Sequence, residues 1–275
     1  MYFAALRKIN MQFFSNKSII ITGASSGIGK ALSIEMASKG SHLILAGRNL
    51  DNLEEVKLSC EAKGATCHCL FLDIANQDSI DSFCQQVAKL TNCVDVLVNN
   101  AGISQRSQAE ETSLEVDRRI MEVNFFGQVA ITKKLWGLIC KSTHANIVLI
   151  SSVVGTFGFP QRSAYSASKH ALEGFFESWM LENNRPNIFF TTVSPGRIQT
   201  NISESALKAD GSAHQVMDAG QLNGIPAEVC ARKIASGVSK DKRKIYVVQN
   251  EIILILFRKL LPYFYFKLVK KLKLS

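Results

Sequence analysis

Short runs of aliphatic and β-branched residues recur along the chain, each followed by a longer stretch whose apolar positions return at helical spacing. Ser18 to Thr22, His42 to Ala46, Thr66 to Leu72, Val94 to Val98, Asn146 to Ile150, Ile188 to Val193 and Lys244 to Val248 read as strands. Lys30 to Lys39, Leu50 to Lys63, Gln77 to Leu90, Leu114 to Lys141, Ala164 to Asn183 and Pro226 to Val238 read as helices. In the third of these, Ile80, Phe83, Val87 and Leu90 make one apolar face. Strand–helix alternation of this kind builds a parallel sheet covered by helices on both faces. The pattern therefore predicts one doubly wound α/β domain with a seven-stranded parallel sheet over residues 18–250. Residues 1–17 form an N-terminal extension and residues 251–275 a C-terminal tail. The polar stretch from Asn201 to Gly224 breaks the alternation and reads as a mobile segment able to close over a substrate.

Composition changes this picture little. The chain has 275 residues, 47% hydrophobic and 20% charged, enough for one large domain with a well-buried core. The net charge of +9 is unevenly placed. The tail holds Arg258, Lys259, Lys267, Lys270, Lys271 and Lys273 against Glu251, and the N-terminal extension adds Arg7, Lys8 and Lys17. The body is close to neutral, which argues against a nucleic-acid surface on it and points to the two ends. Seven cysteines without a framework spacing fit reduced thiols in a cytosol-like compartment. Cys67-His68-Cys69 is not a metal motif, because on a strand the two cysteines face one side and the histidine the other. The N-terminal run before Arg7 and Lys8 is too short for a signal peptide.

Two stretches carry candidate chemistry. The first strand runs directly into Gly23, Ser25, Ser26, Gly27, Ile28 and Gly29, and a helix follows. Strand, glycine-rich turn and helix is the context of a dinucleotide site: glycines admit the pyrophosphate and the helix N-terminus offers free N–H groups. At the end of the second strand, where an acidic residue would hold a ribose 2′-hydroxyl, stands Arg48, whose planar fork suits a 2′-phosphate. NADP(H) is favoured over NAD(H) on that ground. The second stretch, Ser151 to Lys169, brings a serine, a phenol and an ammonium within reach of one point. Tyr165 and Lys169 are i and i+4 on one helix and share a face. The rim that lies at the strands' carboxyl ends also holds Asp73 and Asn100, and Asn124 sits among apolar neighbours in the middle of a helix.

With these residues in view, the chain resembles the short-chain dehydrogenase/reductase family over about residues 17–250. The matching motifs are TGASSGIG at Thr22 to Gly29, LDI at Leu72 to Ile74, NNAG at Asn99 to Gly102, Asn124, Ser152, YSASK at Tyr165 to Lys169, and PGRIQT at Pro195 to Thr200. The stretch NNAGISQRS and the basic, hydrophobic tail look like the family's membrane-associated branch near the hydroxysteroid and retinoid enzymes. The resemblance implies a Rossmann fold, a homodimer or homotetramer, and a catalytic set of Asn124, Ser152, Tyr165 and Lys169. It implies cofactor contacts from Gly23, Ser25, Ser26, Gly27, Ile28, Gly29, Arg48, Asp73, Ile74, Asn100, Ala101, Gly102, Tyr165, Lys169, Pro195, Gly196, Ile198 and Thr200. Tyr165 would be the acid in reduction and the base in oxidation, with its pKa lowered by Lys169 and the oxidised nicotinamide. Ser152 would bind the substrate oxygen, and Asn124 would position a water linking Lys169 to solvent. The spacing of Ser152 to Tyr165 resembles that of the family's catalytic serine, so Ser152 is preferred over Ser151.

These residues predict hydride transfer between NADP(H) and a ketone or secondary alcohol, with a lipophilic small molecule as substrate. A 3-oxoacyl-thioester reductase is the nearest alternative, and a nucleotide-sensing protein without turnover is the alternative of another class. In the tail, the apolar run Ile252 to Phe257 is far too short to span a bilayer. Aromatics beside lysines suit an interfacial contact with an anionic membrane. The other reading is a tail packed on the enzyme. A cytoplasmic protein, with peripheral contact at the cytoplasmic face of a membrane, is expected.

Overall fold

Alternation of side chains decides how the strands divide their residues between two cores. Strand β1, Ser18–Thr22, is buried at every position, with Ile19 and Ile21 in one core and Ile20 in the other. The computed structural model describes residues 11–269. Residues 1–10, with Arg7 and Lys8, and residues 270–275, with Lys270, Lys271 and Lys273, lie outside the described part.

From β1 the chain passes through α1 (Gly27–Met36), β2 (His42–Gly47), α2 (Leu50–Glu61), β3 (Thr66–Phe71), α3 (Gln77–Leu90) and β4 (Val96–Asn99). Then come α4 (Leu114–Met121), α5 (Gly127–Ile139), β5 (Ala145–Ile150), α6 (Ser163–Glu182) and β6 (Ile188–Pro195). A two-residue strand β7 (Ile198–Gln199), α7 (Ala219–Leu222) and β8 (Ile225–Pro226) precede α8 (Ala227–Val238), β9 (Lys244–Val247), α9 (Glu251–Leu260) and α10 (Pro262–Val269). The main sheet is seven-stranded and parallel, in the order β3-β2-β1-β4-β5-β6-β9. Strand order reverses between β1 and β4, the crevice where such sheets hold ligands. One core packs α1, α2 and α8 on the sheet, and the other packs α3, α5 and α6.

The expected fold and strand count hold. The helix expected over Leu114 to Lys141 is instead interrupted by a π-helical turn, Glu122–Phe126, between α4 and α5. Gly127 closes that turn so near the sheet that a Cβ on it would stand 2.2 Å from the Ile74 carbonyl oxygen. One inserted residue offsets the downstream apolar positions by a single place, too small a change in a three-to-four spacing to mark a break. The β7–β8 pair was also unforeseen, because two-residue strands show no alternation.

Outside the expected domain limits, Phe14 is fully buried against the α1 side of the sheet. Helices α9 and α10 fold back onto the loop after β5, where Tyr265 packs with Val153, Val154 and Phe157.

Candidate active site

The glycine turn shows why side chains are excluded there. Gly23 and Gly27 have positive φ of 64° and 54°, the left-handed region that favours glycine. A Cβ on Gly29 would lie 2.2 Å from the Gly23 carbonyl oxygen and 2.5 Å from Asn100 Nδ2. Asn100 Nδ2 donates to the carbonyls of Thr22 (2.9 Å) and Gly23 (3.1 Å). Thr22 Oγ1 in turn accepts from the backbone N–H groups of Asn100 and Ala101, each at 3.0 Å. The ends of β1 and β4 are thus laced together, and the Asn100 side chain holds protein backbone. Ser26, at the N-terminus of α1, makes no side-chain cap, so the first N–H groups of the helix are left for a ligand.

A cleft of about 790 Å³ runs along these strand ends. Of the expected cofactor residues, Gly23, Ser25, Ser26, Gly27, Ile28, Arg48, Asp73, Ile74, Asn100, Ala101, Gly102, Pro195, Gly196, Ile198 and Thr200 line it, together with Ser152, Tyr165 and Lys169. Gly29 and Asn124 do not. Gly29 acts behind the wall by its lack of a side chain. Arg48 is exposed at the mouth and has no carboxylate partner among the described residues. Its neighbour Asn49 caps α2 by accepting from Asn52 N at 3.0 Å. An uncapped helix start and a cradle with no room for Cβ atoms fit the pyrophosphate of a dinucleotide.

At the other end of the cleft stand Ser152, Tyr165 and Lys169. Lys169 is 3% exposed, and its Nζ donates to the Ile150 carbonyl at 2.8 Å. Burial brings its pKa down to about 8, against a smaller upward pull from Glu173. Burial also raises the Tyr165 phenol, while the Ser152 hydroxyl and the Arg106 charge pull it back. In the protein alone, then, the phenol is raised; the expected lowering counted on the oxidised nicotinamide as well as Lys169. Burial outweighs the Ser152 hydrogen bond and the Arg106 charge. Ser152 starts the turn Val153–Gly155 and accepts from Val154 N at 3.4 Å. Ser151 also lines the cleft, but its hydroxyl donates to Glu173 Oε1 at 2.6 Å, which leaves Ser152 with the hydroxyl hydrogen free to donate.

Asn124 lies in the π turn and is fully buried. Its Oδ1 accepts from Ile103 N at 2.8 Å, and its Nδ2 donates to Ile103 O at 2.9 Å and Ser168 Oγ at 3.0 Å. Both amide hydrogens are used, and the side chain clamps the loop after β4 to α6.

Several residues around the site were missed from sequence. Gln105 is fully buried, and its Oε1 accepts from Ala164 N at 2.9 Å, capping the start of α6 just before Tyr165. Arg106, with 6% of its side chain exposed, pairs with Asp218, and Arg162 joins the same carboxylate at 3.2 Å. Asp218 belongs to the expected lid, whose Asn201, Ile202, Ser205, Leu207 and Gln221 line the cleft. Glu251 at the start of α9 accepts from Arg197 N at 3.0 Å and presses on Gly196. The NNAGISQRS stretch hinted at Gln105 and Arg106, but nothing local pairs them with residues so distant in the chain.

Comparison with known proteins agrees with this geometry. Residues 17–211 match the model of the family described as short chain dehydrogenase. "Dehydrogenase/reductase SDR family member 7B" of Mus musculus is 38% identical over 249 residues, 88% of this chain and 77% of the relative. "Dehydrogenase/reductase SDR family protein 7-like" of Anopheles gambiae is 39% identical over 241 residues, 86% and 76% respectively. Among solved structures, a short chain dehydrogenase/reductase from Burkholderia phymatum in complex with NAD superposes with a TM-score of 0.79 at 21% identity, over 90% of this chain and 94% of that one. An alcohol dehydrogenase from Thermococcus sibiricus complexed with 5-hydroxy-NADP gives 0.72 at 24% identity, over 85% and 95%.

Proposed function

The chain belongs to the short-chain dehydrogenase/reductase family of NAD(P)-dependent oxidoreductases, and from that premise we propose that it interconverts a lipophilic ketone and its secondary alcohol with NADP(H). The observation that carries the reading is the meeting of Ser152, Tyr165 and Lys169 in one cleft with the glycine cradle and Arg48. When bound, the nicotinamide supplies or takes the hydride. The cradle at Gly23 to Gly29 and the start of α1 would hold the pyrophosphate, and Arg48 the 2′-phosphate.

In reduction, Ser152 donates a hydrogen bond to the carbonyl oxygen, where negative charge develops. Tyr165 delivers its proton to that oxygen and becomes a phenolate. A buried phenolate is costly, which is why its partners matter: protonated Lys169 on the same helix face and the Arg106 guanidinium favour the ion. In oxidation Tyr165 takes the proton back. The apolar Ile202 and Leu207 on the lid side support a lipophilic substrate. The test is NADPH consumption over a panel of steroid, retinoid and long-chain ketones, with 3-oxoacyl thioesters alongside. Turnover of free ketones supports the reading, thioester turnover alone replaces the substrate class, and NADPH binding without any turnover overturns it.

A second reading concerns the tail, and one observation favours it. Tyr265 faces the enzyme, while Leu256, Leu260 (69% exposed), Leu261, Tyr263 (66%), Phe264 and Phe266 are exposed beside Arg258, Lys259 and Lys267. Among the described residues, no helix is long and apolar enough to cross a membrane. An apolar face edged by cations complements an anionic lipid surface, and we infer a peripheral contact there. Because the tail is also packed on the enzyme, substitution tests this better than truncation. Leu260→Ser with Phe264→Ser should abolish flotation with phosphatidylserine vesicles and leave turnover of a soluble ketone intact. Unchanged flotation would remove the idea.

A further inference from the structure

Glu173 is a carboxylate that the chemistry above leaves unused, yet it touches three strand ends beneath the site. It projects from α6 one turn beyond Lys169. Its Oε1 accepts from Ser151 Oγ, at the end of β5, at 2.6 Å, and from Ser194 Oγ, on β6, at 3.3 Å. Its Oε2 pairs with Lys244 Nζ, on β9, at 2.6 Å. The turn that follows Ser152 closes over this group: a Cβ on Gly155 would stand 2.6 Å from Ser151 Oγ and 2.8 Å from Glu173 Oε1.

We propose that Glu173 is a positioning residue with two linked tasks: it anchors the turn that presents Ser152, and it supplies the negative charge that keeps Lys169 protonated at neutral pH. The inference rests on the roles of Ser152 and Lys169 given above. The first task follows from the bonds. Ser151 precedes Ser152 and spends its hydroxyl on Glu173, so the carboxylate fixes the backbone from which Ser152 points into the cleft. The second follows from what surrounds Lys169. Its Nζ meets the Ile150 carbonyl and the Tyr165 ring, and Gly102 lies beside it, all uncharged. Among the described residues it has no carboxylate at ion-pair distance. Burial pushes the ammonium's pKa down and Glu173 pulls it up, for a net value of about 8, so the carboxylate adds to the charge that survives at neutrality. Facing Glu173 are the Ser151 and Ser194 hydroxyls, Lys244 and Tyr246 from β9, and Lys169 from its own helix. Lys244 therefore competes with Lys169 for the carboxylate's field.

That competition makes the test two-sided. Glu173→Gln keeps the shape and an acceptor for Ser151 while removing the charge. Lys244→Met removes the competing cation. The measurement is a side-chain NMR titration of the lysines in the ligand-free full chain, with the Lys169 signal identified by its loss in Lys169→Met. Expected is a Lys169 titration lowered by about one pH unit in Glu173→Gln and raised in Lys244→Met. The alkaline limb of the pH–kcat profile should move in the same two directions. An unmoved Lys169 in both variants, or shifts of the same sign in both, overturns the inference. The NMR arm needs neither substrate nor turnover, so a failure of the proposed reaction and a failure of this inference are read separately.

Discussion

The Tyr265 hydroxyl donates to the Gly158 carbonyl at 2.6 Å, tying the C-terminal helix to the loop between Ser152 and Tyr165. Tyr265 is 1% exposed and packs against Phe157 with ring centroids 5.7 Å apart. The tail therefore braces the wall beside the chemistry. Tyr265→Phe keeps the ring and loses one hydrogen bond, about 1 kcal/mol, or about 2–4 °C in thermal denaturation. Tyr265→Ala loses the buried ring as well, and about 3–5 kcal/mol is expected. Equal losses in the two would show that packing contributes nothing.

Tyr165→Phe leaves the ring in place and removes the acid. Turnover should fall roughly 100- to 10,000-fold, the usual worth of a positioned acid. NADPH affinity, measured by fluorescence titration, should stay the same.

Arg48→Ala tests the cofactor preference. A guanidinium–phosphate contact is worth roughly 1.5–3 kcal/mol, so the Kd for NADPH should rise roughly ten- to hundredfold. NADH, which lacks the 2′-phosphate, should bind the variant and the parent alike.

Lys169 also makes a prediction about stability against pH. Its folded pKa, about 8, lies below the unfolded value of 10.5. Below about 8 the folded protein carries a buried ammonium that the unfolded chain holds in water, and this destabilises the fold. Between about 8 and 10.5 the folded form alone gives up the proton, and the penalty fades. Lys169→Met escapes the penalty. Its stability advantage over the parent, up to about 3 kcal/mol at neutral pH, should shrink as pH rises through that window. Denaturant titrations of both proteins across the range measure it; an advantage independent of pH would contradict the burial argument.

Asp218→Asn tests the clasp on the lid. Arg106 and Arg162 lose their shared carboxylate, and the lid loses its tie to the start of α6. The KM for ketone should rise about tenfold with a smaller change in kcat, because the lid orders the substrate without touching the proton. Limited proteolysis should cut faster between Asn201 and Gly224.

Much of this protein is legible in its residue order. Contiguous motifs record local backbone demands: β-branched runs make buried strands, and glycines mark a turn with no room for a side chain. A tyrosine and a lysine four apart share a helix face. From these came the seven-stranded sheet, the cleft and its acid–base pair. What the order of residues could not decide depends on groups brought together from far apart. Asn124 looked like a polar misfit in a helix; only the fold shows it clamping Ile103 from a π turn. Ser151 and Ser152 were separable from sequence only by resemblance, and the bond to Glu173 gives the physical reason. The tail posed a choice between membrane and enzyme, and the structure shows its helices two-faced, Tyr265 inward and Phe264 outward. The sign of the Tyr165 shift is a balance of desolvation against charge, and burial is a property of the packed molecule that no motif carries.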